Sequence, residues 1–483
     1  MPEFELLVIG GGPGGYVAAI RAAQRGLRVG LVEKERPGGV CLNWGCIPTK
    51  AMLRSAEVFH TLTTAAEFGV YADNVRYDFA AVRQRKDGIV KELTDGVAGL
   101  LKANGVTVIE GHARFTGPTT VEVHETGASP IFEGGPRYAA APGAAVRQVS
   151  AQDVIVATGS VPALLPIPGA DLPGVVTSDG AFGLNEVPKR LVVIGGSAVG
   201  AEWASLFATF GSQVTVVEMQ DSLVPLEDKE IGATLGRSFR KRGIAVLTGS
   251  TVTAIAQGDA LRVSVDGKQP QELDADVVLV GVGRRPNTAD LGLDVAGIGT
   301  DARGFIEVDD QLRTGVEHVY AIGDVTGRAL LAHVASHQGI TAADVIAGHD
   351  AHIDYAVIPA ATFTHPEIAS VGLTEEAARA AGREVITAKF PFAALGRAKT
   401  FGDTEGIMKI VAGQQHREVL GVHIIGPSAS DLITEGALAI SLEATLDELA
   451  DTIHAHPTLG EIGMETALAG LGLPVHIAPR KKR

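Results

Sequence analysis

Cysteine is almost missing from this chain: Cys41 and Cys46 carry every thiol in 483 residues. Two cysteines are too few for a disulfide scaffold or a four-ligand zinc site, and they suit a reducing compartment. Basic charge is also in deficit, with 41 Lys and Arg against 56 Asp and Glu and a formal net charge of −15. An acidic surface repels phosphodiester backbones, which sets nucleic acid aside as a main partner. No apolar run approaches the ~18 residues of a spanning helix. The opening MPEFELLVIGGG lacks the basic segment of a signal peptide. These absences predict a soluble, cytoplasmic protein with no membrane partner. The closing APRKKR reads as a solvated tail.

Glycine is what the chain has in excess, 60 of 483 residues. No G-X-Y period organises it, so it points to tight turns and close backbone approaches. The glycines concentrate in two places. Glu5–Ile9 is an apolar run leading into Gly10-Gly11-Gly12-Pro13-Gly14-Gly15, a helical stretch from Tyr16 to Arg25, and a second apolar run ending at Glu33. The same layout recurs from Leu191–Ile194 through Gly195-Gly196-Ser197-Ala198-Val199-Gly200, a helix through Phe210, and a strand ending at Glu218.

Strand, glycine turn, helix, strand and acid together form the dinucleotide-binding fingerprint. Gly10, Gly12 and Gly15 in one copy, and Gly195 and Gly200 in the other, let the backbone approach a pyrophosphate at a helix N-terminus. Glu33 and Glu218 accept from ribose hydroxyls. Ser197 stands where the middle glycine is usual and requires a backbone without positive φ. Glu218-Met219-Gln220-Asp221 offers no cation for a 2′-phosphate, so the second site prefers NAD over NADP.

DVIVATGS, ending at Gly159 and Ser160, and VVLVGVGRRPN, containing Gly283, are strands running into small-residue turns. Both glycines are cofactor-binding candidates. Residues 127–150, rich in Gly, Pro and Ala, read as an irregular excursion. From about Ala351 the texture changes to short strands and amphipathic helices, a separate domain.

Both thiols sit in Gly38-Gly39-Val40-Cys41-Leu42-Asn43-Trp44-Gly45-Cys46-Ile47-Pro48-Thr49-Lys50, directly after the first fingerprint. Clustering beside a nucleotide fold favours a reversible disulfide over two buried hydrophobes or a metal site. Pro48 permits a helix start near Cys46, where thiolate is favoured over thiol, and Lys50 follows one turn later. A dithiol also needs a base. In His454-Ala455-His456-Pro457-Thr458-Leu459-Gly460-Glu461, His456 is the better candidate and His454 the weaker, with Pro457 in the first turn of the following helix and Glu461 orienting the imidazole.

GGVCLNWGCIPTK resembles the redox signature of the flavoprotein disulfide reductases, VYAIGDVTG their second FAD motif, and HAHPTLGE their C-terminal acid–base motif. TFTHPEIASVGLTEE and GRAKTFGDTEGIMKIV are most similar to the branch that oxidises dihydrolipoyl groups. The resemblance implies an α/β chain with two Rossmann-like domains, for FAD and NAD, and a C-terminal α+β dimerisation domain. The expected layout is 1–160 and 281–350 for FAD, 161–280 for NAD, and 351–483 for dimerisation.

It further implies that the substrate dithiol attacks at Cys41 and that Cys46 faces the flavin as the charge-transfer thiolate. His456 reaches in from the partner subunit, Lys50 sits near the reactive flavin edge, Asp324 holds the ribityl chain, and Glu202 lies near the nicotinamide. The implied partners are a second copy of the chain and the lipoyl-bearing acyltransferase subunit of a 2-oxo acid dehydrogenase complex. The bulky Trp44, Gly460 in place of a hydroxyl residue, and Ser197 depart from the family pattern.

Overall fold

The computed structural model describes residues 2–126, 143–268 and 270–478. The chain divides into two compact units that alternate along the sequence. One comprises 1–165, 176–187 and 282–353, the other 166–175, 188–281 and 354–483. Among the described residues, no helix is long and apolar enough to cross a membrane.

The first unit opens with β1 (Phe4–Ile9), α1 (Pro13–Gln24) and β2 (Val29–Glu33). Leu6, Leu7, Val8 and Leu31 are wholly buried because both faces of the sheet are covered: Leu6, Val8 and Leu31 pack with Ala18 and Ala22 of α1, and Leu7 with Phe115 and Val121 further along the chain. The helix begins at Pro13, three residues before the expected Tyr16, because proline lacks only an N–H that has no partner in a first turn. Two helices of the thiol segment follow, α2 (Gly39–Trp44) and α3 (Cys46–Thr64), then the long α4 (Phe79–Ala103). Strands β3 (Thr107–Glu110), β4 (His112–Gly117), β5 (Thr120–His124) and β6 (Ala145–Val156) complete the order β3-β2-β1-β6-β5-β4.

The irregular excursion read at 127–150 needs correction at its end. Residues 145–150 are the first half of β6 and pair antiparallel with Thr120–His124, Val149 opposite Val121. Val149 and Val121 are both buried, and that contact decides the local structure over composition. Residues 127–142 lie outside the described residues, as do 479–483 of the basic tail. The second half of β6 pairs in parallel with β1, Val154 beside Leu7.

After the short strand β7 (Ser160–Pro162), the second unit repeats the first motif. It contains β8 (Arg190–Ile194), α5 (Ala198–Thr209), β9 (Gln213–Glu218), α6 (Lys229–Lys241), β10 (Ala245–Thr248) and β11 (Val277–Val280). These strands run in parallel in the order β10-β9-β8-β11. The chain then returns to the first unit. There β12 (Arg284–Pro286) pairs antiparallel with β7, β13 (Val319–Ala321) joins β6 in parallel, and α7 (Ala332–Ile346) packs on α1.

The rest of the second unit is a five-stranded antiparallel sheet, β14 (Ala360–Thr362), β15 (Glu367–Gly372), β16 (Val385–Pro391), β17 (Ile407–Gly413) and β18 (Val419–Gly426), in the order β14-β15-β18-β17-β16. Helices α8 (Ala429–Ser441) and α9 (Glu461–Gly470) cover it through Ile433 and Ile462. Two Rossmann-like folds and a C-terminal α+β domain thus account for the architecture.

Candidate active site

The thiol segment is tied to the first fingerprint by the Gly38 N–H donating to Gly11 O at 2.7 Å. Within it, Asn43 Nδ2 donates to Gly39 O at 2.9 Å and Thr49 Oγ1 to Gly45 O at 2.6 Å, which fixes the step from α2 into α3. Helix α3 begins at Cys46 itself. The helix start favours negative charge on that sulfur. Both thiols are half-buried. The Cys41 thiol hydrogen-bonds to Cys46; that bond and burial push Cys41 far up, while the Lys50 ammonium pulls it down. Two thiols that share a proton in this way, with a cation beside them, divide their labour: one stays a thiol while the other carries charge.

The two nucleotide cradles are built alike. Gly10 has φ +102° and Gly195 φ +100°, a conformation that L side chains rarely adopt. A Cβ on Gly15 would lie 1.8 Å from Gly10 O, and one on Gly200 1.8 Å from Gly195 O. Glu33 accepts from the Gly11 N–H at 2.6 Å and the Glu35 N–H at 2.7 Å. Glu218 accepts from the Gly196 N–H at 2.6 Å and the Gln220 N–H at 2.7 Å. Gly12 (φ −68°) and Ser197 (φ −73°) share one extended backbone, so serine is accommodated there without strain.

The residues of the first unit fit a bound dinucleotide. Asn43 Oδ1, Trp44 Nε1 and Thr158 Oγ1 are buried polar atoms with no hydrogen-bond partner in the described protein, two of them between the cysteines. Thr158 itself lies against Gly10, its Cα 3.2 Å from where a Gly10 Cβ would stand. Buried polar atoms are normally paired, so a ligand that supplies the missing partners completes this cradle.

Asp324, at the end of β13, accepts from Ser160 Oγ at 2.5 Å, and Arg284 Nε donates to the same hydroxyl at 2.6 Å. Burial raises the Asp324 carboxyl, which Ser160 and Arg284 partly offset. Gly159 accepts from the Asn287 N–H at 3.0 Å, and Gly283 from the Ala163 N–H at 2.9 Å. The two small-residue turns and Asp324 therefore form one cluster. Sequence reasoning missed Ser160 and Arg284 as its linking pair, although each directly follows one of the glycines it singled out.

Glu202, Glu218, His456 and Glu461 lie in the second unit. Glu202 is buried on α5 and accepts from the Phe363 N–H at 2.9 Å. The His456 imidazole is exposed, and its Nδ1 lies 2.8 Å from Glu461 Oε1. Burial pushes the Glu461 carboxyl up, but the bonds from His456 and from the Thr458 N–H (2.8 Å) outweigh it and hold the group low. A carboxylate on Nδ1 leaves Nε2 as the free nitrogen, facing solvent and able to take a proton. His454 differs. Both its nitrogens are engaged, Nδ1 with Thr452 O at 2.9 Å and Nε2 with Glu435 Oε1 at 2.8 Å. Pro457 does not open the helix as expected. Helix α9 starts at Glu461, because residues 455–458 form a loop closed by Thr458 Oγ1 donating to Ala455 O at 2.7 Å.

The model of the pyridine nucleotide-disulphide oxidoreductase family matches residues 4–339, and that of its dimerisation domain residues 358–467. The dihydrolipoyl dehydrogenase of Geobacillus stearothermophilus is 44% identical over 482 residues, covering 98% of each chain. That of Chlamydia muridarum is 42% identical over 482 residues, covering 99% of each. Among solved structures, the Cu(II) complex of the HOCl-induced flavoprotein disulfide reductase RclA from Escherichia coli matches with a TM-score of 0.84. Its identity is 28%, over 97% of this chain and 99% of that one.

Proposed function

The chain belongs to the pyridine nucleotide-disulphide oxidoreductase family, and from that premise we propose that it oxidises dihydrolipoyl groups to lipoyl groups and reduces NAD+ to NADH through FAD and the Cys41–Cys46 pair. The observation that carries this reading is the thiol pair itself: two sulfurs in hydrogen-bonding contact at a helix start, with a lysine beside them, against a dinucleotide cradle.

One substrate sulfur bonds to Cys41 as the Cys41–Cys46 bond breaks, and Cys46 leaves as a thiolate. His456, oriented by Glu461, takes the proton of this incoming thiol, and the proton of the second substrate thiol passes to Cys41 as it leaves. The second substrate sulfur thereby closes the lipoyl disulfide and releases Cys41. The substrate loses two electrons and two protons, and the cysteine pair is reduced by two electrons. Bound FAD supplies the chemistry that passes an electron pair from a dithiol to NAD+. Lys50 stabilises the charged sulfur, and Asp324, held by Ser160 and Arg284, orients the flavin's side chain. Gly10, Gly12, Gly15 and Glu33 hold FAD; Gly195, Gly200 and Glu218 hold NAD, with Glu202 near its reacting ring. Gly159 and Gly283 complete the turns beside the cofactors.

In this reading residues 1–160 and 281–350 bind FAD, 161–280 bind NAD and 351–483 form the dimerisation domain. The chain acts as a homodimer in the cytoplasm, with the partner subunit supplying His456. Its protein substrate is the lipoyl-bearing acyltransferase subunit of a 2-oxo acid dehydrogenase complex.

The test is Cys46→Ser in a dihydrolipoamide-dependent NADH assay, with bound flavin measured in parallel. Turnover should fall by about a thousandfold or more while FAD stays bound. An unchanged rate would remove the disulfide from the reaction.

A further inference from the structure

We infer that Arg242, a residue remote in sequence from every motif, is a positioning residue for the nicotinamide half of the reaction. It acts by holding α5 against the segment 363–365. The inference rests on the proposed NAD site, in which α5 starts at the second glycine turn and carries Glu202 one turn further on.

Arg242 directly follows α6 and is half-buried. Its guanidinium makes four bonds, all to neutral oxygens. Nη1 donates to Ser205 Oγ at 2.9 Å and His365 O at 2.8 Å; Nη2 donates to Ser205 O at 3.3 Å and Thr209 Oγ1 at 2.8 Å. Burial lowers it to about 10, with Glu405 acting in the opposite direction, so it is charged at neutral pH. A cation bonded only to neutral oxygens is an expensive way to hold a fold together, and an apolar side chain would fill the volume at less cost. What the planar fork provides is geometry: one rigid group ties two turns of α5 to the His365 carbonyl.

The same seam carries two more bonds. The His365 N–H donates to Ser205 Oγ at 3.3 Å, and the Phe363 N–H to Glu202 Oε1 at 2.9 Å. The face of α5 that carries Glu202 and Ser205 is therefore bonded to one short stretch of backbone, and Arg242 closes that contact from outside. Helix α6 cannot drift and carry Arg242 with it, because its other end is fixed too. Asp228, capping α6, and Glu230 in its first turn both bind Lys409 of β17, the latter at 3.0 Å. Arg242 consequently sets where Glu202 and the α5 N-terminus stand when NAD arrives. The thiol chemistry in the first unit makes no use of it.

Arg242→Met and Arg242→Lys test this, each read three ways: calorimetric binding of NAD+, anaerobic reduction of bound flavin by NADH, and anaerobic reduction by dihydrolipoamide. In Arg242→Met, NAD+ binding and flavin reduction by NADH should weaken by about tenfold, while reduction by dihydrolipoamide stays within about twofold of the unsubstituted protein. Arg242→Lys keeps the charge without the fork and should recover less than half of the loss. If both reductions fall together, Arg242 is a structural residue only, and if neither falls, it positions nothing; either result overturns the inference. Failure of dihydrolipoamide to reduce the unsubstituted protein would instead sink the proposed substrate, and the NADH arm would still decide the role of Arg242.

Discussion

The two glycine fingerprints match to within 0.1 Å in their acid–backbone bonds and 2° in the φ of their first glycine, yet their surroundings differ. Around the first, Glu33 is raised by burial and Lys34 lowered by it, and the thiol segment folds directly over the glycine turn. Around the second, a segment also folds over the glycine turn, with the Val224 N–H donating to Gly196 O at 2.9 Å, but the residue after the acid, Met219, is 65% exposed. A half-buried residue beside the acid suits a cofactor that stays through every turnover, and an exposed one suits a cosubstrate that leaves. The fingerprint specifies that a dinucleotide binds; the neighbourhood specifies for how long.

Equal clashes should therefore have unequal consequences. Gly15→Ala and Gly200→Ala each drive a Cβ to within 1.8 Å of a carbonyl oxygen. The first should give protein without flavin. The second should keep its flavin and lose about a hundredfold or more in NAD+ reduction. Flavin absorbance per chain and NADH formation separate the two, and flavin loss from both would break the comparison.

The devices that anchor each unit differ as well. Lys409, 2% exposed at its side chain, binds Asp228 at 2.9 Å, Glu230 at 3.0 Å and Glu375 at 2.8 Å. Burial raises Asp228 and Glu230, but Lys409 outweighs it at Asp228, and Lys389 followed by Lys409 outweighs it at Glu230, so both are held low; Glu375 is lowered by Lys409 first. Groups lowered in the fold stabilise it above their unfolded values near pH 4, and that contribution is lost as pH falls through the folded values. Lys409→Met should cost about 3–5 kcal/mol at pH 7, with the gap narrowing as the medium is acidified toward pH 4 and the stranded carboxylates protonate. Chemical denaturation at both pH values reads this; a gap that widens in acid would contradict it.

Much of this was legible from the chain. Both fingerprints and the thiol segment are local, and their glycines are required by backbone geometry within about 25 residues. The helix start at Cys46 followed from Pro48. Arg242 and Lys409 were not legible, since Arg242 reads as the end of the basic run Arg240-Lys241-Arg242 and Lys409 as a single basic residue, and the burial of each depends on partners up to 181 residues away. The strand at 145–150 was hidden by the Gly- and Pro-rich stretch before it. The choice of His456 over His454 became firm only when both nitrogens of His454 were seen engaged.

Smaller changes sharpen the comparison further. Glu218→Ala should raise the KM for NAD+ about tenfold with flavin content untouched, and adding Met219→Arg should shift preference toward NADP+. Steady-state kinetics with both nucleotides check it; a fall in flavin content would contradict the independence of the two sites. Least of all, Asp344→Asn should cost about 1–2 kcal/mol, because Asp344 binds Arg21 of α1 and Arg25 just after it, and is held low first by Arg21 and then by Arg25. This contribution too is present above pH ~4 and lost below it, so the difference in denaturation midpoint between the two proteins should vanish in acid.

The most direct measurement is the visible absorption spectrum of the purified protein before and after anaerobic addition of dihydrolipoamide, followed by NAD+. The account predicts a flavin spectrum that gains a long-wavelength band from the Cys46 thiolate and returns to its starting form as NADH appears at one equivalent per site. A flavin spectrum unmoved by dihydrolipoamide would contradict it.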